Sequence, residues 1–178
     1  MNLKSSATRY GTFPIIIHWL SVFLIFGLLF SGSRAASMTD PVAKAQLLSL
    51  HAPIGSFIGL LTLIRIVWWI FIDRKPEPVS GMPYLQELGA RAVHLMLYGG
   101  IILSAASGIA MFALSGAGPI IAGWVDAPLP DFTKYPPRIG HTIGAWSLVT
   151  LLLFHSGAAF FHQFVKKDGL LKRMWFTG

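Results

Sequence analysis

The chain contains no cysteine, so its six histidines are its strongest metal ligands. Thiolate iron–sulfur or zinc sites, disulfides and thioether-linked cofactors are excluded. Three of the histidines, His141, His155 and His162, lie in one apolar run, Ile139 to Gln163. His141 and His155 are separated by close to four helical turns, so their imidazoles leave one face of a helix about 21 Å apart along its axis. A metal-binding side chain in lipid is costly and marks a functional site by default. Two on one face, near opposite ends of a span, imply two cofactors stacked across a membrane. One helix supplies one ligand to each, so the partner ligands come from elsewhere in the chain.

The elements that must position them are apolar helices. Of 178 residues, 54% are hydrophobic and 12% charged, against about 25% charged in a soluble domain. Four runs, residues 13–32, 51–72, 84–114 and 139–163, are each long enough to cross a hydrocarbon core of about 30 Å. Turn chemistry separates them: Asp40-Pro41, Lys75-Pro76-Glu77-Pro78 and the connection from Gly116 to Pro137. No repeat or separate soluble domain interrupts the pattern, which predicts one all-α, four-helix membrane bundle over residues 1–178. Lys4 and Arg9 before the first run, and Ala35-Ala36-Ser37 after it, imitate a cleavable secretory signal. The length of the run and His18 near its start favour a retained span. Within the last connection, residues 119–124 are expected to lie on the membrane surface as a short helix or lid.

The net charge of +7 forms no stripe suited to nucleic acid. It gathers at the ends of the apolar runs instead. With the N-terminus inside, Lys4, Arg9, Arg74, Lys75, Arg91, Lys166, Lys167, Lys172 and Arg173 fall on the inner side. Only Arg34, Lys44, Lys134 and Arg138 fall outside, so the positive-inside bias puts both termini in the cytoplasm. The basic tail, Lys166 to Arg173, reads as an anchor attracted to anionic lipid.

Orientation sorts the histidines by depth. His51 and His141 open their spans from the outer side, while His18 and His155 lie at the inner level. Two pairs follow, His51 with His141 and His18 with His155. Arg65, about four turns beyond His51, returns to the inner level, where an anion such as a porphyrin propionate would satisfy it. Bis-histidine ligation leaves no open position on iron and favours electron transfer over oxygen chemistry. Gly55 and Gly59, with Gly99, Gly100 and Gly108, would let a flat macrocycle approach, or serve helix packing. Four histidines at two matched depths are poorly explained as isolated helix caps.

The Ile17-His18-Trp19-Leu20 start, His51, Arg65, the His141…His155 pair and the Lys167-to-Met174 tail together resemble the bacterial cytochrome b561 family, over essentially the whole chain. The resemblance implies four membrane helices and two b-type haems, with ligands at His18, His51, His141 and His155. Some relatives anchor hydrogenases and formate dehydrogenases in the membrane. One branch is a superoxide oxidase of the bacterial inner membrane, passing electrons from periplasmic superoxide to ubiquinone. His94 and His162 also have counterparts there.

Read from the residues, His94 is a replacement ligand for His18, a propionate contact or a packing hydrogen bond. His162, two turns past His155, is either a quinone contact or a solvated interfacial histidine. Lys134 and Arg138 precede His141 and are candidates to guide superoxide, a small anion, to the outer edge; otherwise they are solvated loop charges. The leading function is electron transfer from a periplasmic donor, superoxide first, to the quinone pool. The alternatives are an electron-relay anchor for a partner dehydrogenase and, last, a haem-free metal-ion transporter.

Overall fold

The computed structural model describes residues 2–79 and 81–176. Within them, four helices are long and apolar enough to cross a membrane: Thr12–Ser37, Pro41–Ile72, Tyr84–Ser115 and Pro137–Lys166. We label the α-helical parts α1 (Thr12–Ser37), α2 (Pro41–Val67), α3 (Tyr84–Ser115), the short α4 (Ala117–Ile121) and α5 (Pro137–Phe160). The second and fourth spans each finish in a π-helical segment, Trp68–Ile72 and Phe161–Lys166. No strand occurs among the described residues.

Local chemistry fixes the helix ends. α2 begins at Pro41, well before the expected position 51, because Asp40 is an effective N-cap. Its carboxylate accepts the amide hydrogens of Val42 (2.9 Å) and Ala43 (3.4 Å). Proline at the first helical position has no amide hydrogen to leave unsatisfied. α1 runs on to Ser37, five residues beyond the expected end at position 32. Gly116 ends α3 in the left-handed conformation (φ 67°) that glycine adopts without penalty. The apolar stretch after it folds as α4 at 117–121 and packs on α2 and α3, with Ala117 fully buried.

The helices pack in a chain. α1 lies on α2, α2 on α3, and α3 most extensively on α5. The core that joins them is Ile17, Ile25, Ile58, Leu61, Leu97, Ile101 and Leu148. Leu148 stands midway between His141 and His155, so the core separates the two histidine levels. Outward-facing rings such as Phe23, Phe71 and Trp146, each more than two-thirds exposed, are the side chains lipid would cover.

One end of the bundle is tied by polar contacts. Arg173 donates to the carbonyls of Thr8 (2.6 Å), Ala7 (3.3 Å) and Glu77 (2.7 Å), and Arg9 donates to that of Trp175 (2.9 Å). The Trp19 indole donates to the Met174 carbonyl (2.8 Å). Both terminal segments and the α2–α3 connection therefore share one side. His18, His155 and His162 lie at that end.

Candidate functional site

At the other end, α2 and α5 bring His51 and His141 opposite each other, with ring centroids 6.2 Å apart and planes at 66°. Each ring is held by its Nδ1. His141 donates to the Ser104 carbonyl on α3 (2.8 Å). The Ser31 hydroxyl contacts His51 Nδ1 at 2.9 Å and donates to the Leu28 carbonyl (3.2 Å), so it accepts the His51 Nδ1–H. Both rings are thereby set in the tautomer whose Nε2 lone pair is free for a metal. Two glycines leave the rings room. A Cβ at Gly32 would lie 3.2 Å from His51 Cε1, and one at Gly108 would lie 3.3 Å from His141 Cε1.

At the termini end, α1 and α5 set His18 opposite His155, with centroids 6.1 Å apart and planes again at 66°. His94 from α3 stands 5.1 Å from His155, and its Nδ1–H is given to the Ala90 carbonyl (2.7 Å). Two imidazoles bound to one metal ion from opposite sides have centroids roughly 6 Å apart, since each metal–nitrogen bond is about 2 Å and each nitrogen lies about 1 Å from its ring centre. The His18–His155 and His51–His141 spacings match that arrangement. The His94–His155 spacing is too short for it.

The surroundings of the His18–His155 pair also fit a porphyrin. Arg65 and the Trp69 indole each present a buried nitrogen donor, Nε and Nε1, without a protein acceptor. The charge of Arg65 bears on His18, His94 and His155 together. Donors clustered without acceptors suit a carboxylate such as a propionate. Among the five glycines named from the sequence, Gly99 has open space beside it and Gly55 meets only Leu28, at 3.9 Å. The other three are committed to protein contacts: Gly59 to Ala105, Gly100 to Leu148 and Gly108 to His141. Among the described residues, no three histidine, aspartate or glutamate side chains converge on a bare ion.

Of the outer cations, Arg138 is near enough for its charge to act on His141. Lys134 lies by the carboxylate of Asp131, which holds the Thr133 hydroxyl (2.7 Å) and amide (3.1 Å). His162 is not a solvated interfacial residue. It is 3% exposed, contacts Gln86 of α3 at 2.8 Å and pairs with Asp168. Sequence reasoning missed Ser31, Ser104, Gln86 and Asp168. Asp168 left one trace: it is the lone acid in the basic tail.

The sequence model described as prokaryotic cytochrome b561 matches residues 9–177. The chain belongs to that family. Within the cytochrome b561 group it is 33% identical over 184 aligned residues to "Cytochrome b561 homolog 2" of Escherichia coli K12, covering 98% of this chain and 95% of the relative. It is 25% identical over 173 residues to "Cytochrome b561 homolog 1" of the same organism, covering 93% and 96%. No solved structure matches it. Family membership makes this cytochrome b561 chain a multi-pass membrane electron-transfer protein and brings haem b as its cofactor.

Proposed function

We propose that the chain is a dihaem cytochrome that carries electrons from a donor on its outer face, superoxide in the leading case, to quinone at its inner face. The observation that carries this reading is the pair of imidazole couples at the two ends of the bundle, with the same plane angle and near-equal spacing. His51 and His141 would hold the outer haem, and His18 and His155 the inner one. Arg65 would neutralise a propionate of the inner haem. Bound there, haem b supplies one-electron transfer without an open coordination position for oxygen.

The protein's own groups have separate tasks. The Ser31 and Ser104 contacts fix the outer rings, and the apolar core keeps water from the region between the two levels. Arg138, and with it Lys134, raises the local concentration of a small anion. His162, beside a cavity on the inner side that Val79 and Met82 also line, contacts the carbonyl of ubiquinone. With the termini side in the cytoplasm, as the distribution of basic residues favours, the membrane is the bacterial inner membrane and the donor side is periplasmic.

A pyridine haemochrome assay on purified protein tests the reading, with two non-covalent haems b per chain expected. One haem per chain would break the two-pair scheme. Reduction of both haems by superoxide in detergent is the expected companion result, and failure to reduce either would remove superoxide as the donor.

A further inference from the structure

Away from the two histidine pairs, the most elaborately held titratable side chain is His162. The Lys166 ammonium donates to Oε1 of Gln86 at 3.1 Å. An ammonium can only donate, so the other end of that amide, its NH2 group, faces His162 and donates to Nε2 at 2.8 Å. With Nε2 accepting, the ring proton sits on Nδ1 and is given to Asp168 Oδ2. Oδ1 of Asp168 is engaged by the Leu170 amide at 3.1 Å. Every donor in the chain Lys166–Gln86–His162–Asp168 points the same way. Beside it lies a cavity of about 190 Å³ lined by Val79, Gly81, Met82, His162, Lys166 and Asp168. A cavity of about 150 Å³ accepts a benzene ring, so this one has room for a single substituted ring.

We propose that Asp168 is the positioning residue of a proton-delivery site for quinone reduction, acting through His162. This deepens, and rests on, the reading of His162 as the quinone contact. A quinone must gain two protons with its two electrons, and a Gln86 amide has none to give. The carboxylate on Nδ1 fixes the orientation of the His162 ring. When the Gln86 amide swings aside, the Nε2–H of the imidazolium form faces the incoming carbonyl oxygen and passes its proton to it. His162 returns to the neutral Nδ1–H form and is reloaded from water entering the cavity past Lys166. Two one-electron donors at the outer face supply the electrons. With superoxide as donor, two superoxide ions, one quinone and two protons give two dioxygen molecules and one quinol. The charged groups facing His162 are Lys166, at the end of its own span, and Asp168, just beyond it. Glu87 and Arg91 of α3 pair with each other, and the described residues of the connection that line the cavity, Val79, Gly81 and Met82, are uncharged.

The test is stopped-flow oxidation of the dithionite-reduced holoprotein by ubiquinone-1 across pH, which does not depend on the identity of the donor. Asp168→Asn keeps an oxygen for the Leu170 amide but loses the charge. It should leave half-saturation by quinone and the haem spectra nearly unchanged while slowing the maximal rate about ten-fold or more. Asp168→Glu should restore most of the rate. If His162→Ala blocks oxidation while Asp168→Asn matches the wild type in rate and pH profile, the relay is wrong and the quinone contact stands. If His162→Ala is itself oxidised at the wild-type rate, the quinone assignment fails first. Equal losses in Asp168→Asn and Asp168→Glu, with altered haem spectra, would make Asp168 merely structural and overturn the proposal.

Discussion

Ser31 shows how much of a metal site lies behind its ligands. Its hydroxyl accepts the His51 Nδ1–H, and partners of this kind commonly change metal affinity by about 10–100-fold when removed. Ser31→Ala is therefore expected to weaken retention of the haem proposed at His51 and His141 while leaving the one proposed at His18 and His155 in place, as read by haem titration of the stripped protein. Asp73 makes a different residue-scale test. Burial alone would raise its carboxyl, but it accepts from the Ser5 amide and hydroxyl (both 2.9 Å), the Arg74 amide (2.8 Å) and the Trp68 indole (3.2 Å), and these hold it below the ordinary aspartate range. A carboxylate lowered on folding contributes stability that is complete above its unfolded value and lost as pH falls through its folded one. Hydrogen exchange should show the Ser5 amide protected at neutral pH and released only in acid. In Asp73→Asn the protection should weaken already at pH 7, since hydrogen bonds to a charged group contribute about 1.5–3 kcal/mol each. The paired histidines were legible because their spacing and depth are written in the order of residues. Ser31 was not: Ser31-Gly32-Ser33 reads as part of a small-residue cleavage site, and only the packing of α1 on α2 sets Ser31 against His51.

At the scale of elements, the four spans were legible from apolar length, while their ends answered to local chemistry. Asp40-Pro41 reads as a turn, yet its carboxylate starts α2 and leaves only a brief connection after α1. The glycines on α2 and α3 could not be sorted between cofactor clearance and packing, because that depends on which helix lies opposite. The structure sorts Gly59 sharply: a Cβ there would stand 2.7 Å from the Ala105 Cβ, and neither atom can rotate away. Gly59→Ala should force α2 and α3 apart and cost about 1–3 kcal/mol, lowering the thermal transition in detergent. Adding Ala105→Gly should recover most of the loss, because the two sites share one contact. A double variant no more stable than Gly59→Ala would show that these helices do not meet as described.

At the scale of the whole molecule, α5 packs chiefly on α3 while carrying one histidine of each pair. The donor side can be tested by charge. Reversing Lys134 and Arg138 to glutamate should slow haem reduction by superoxide about ten-fold at low salt. The difference should shrink at high salt, because the Debye length is already about 8 Å at physiological ionic strength. Equal low-salt rates would remove both residues from the mechanism. The central claim is that one helix holds two haems at opposite ends, and the most direct test compares His141→Ala with His155→Ala. Reduced-minus-oxidised spectra should be taken for each with an outside donor and, separately, with a quinol. In His141→Ala the outside donor should fail while the remaining haem still exchanges electrons with quinol. In His155→Ala the outside donor should still reduce a haem, but transfer to quinone should stop. Loss of the same haem in both variants, or of neither, would contradict the account.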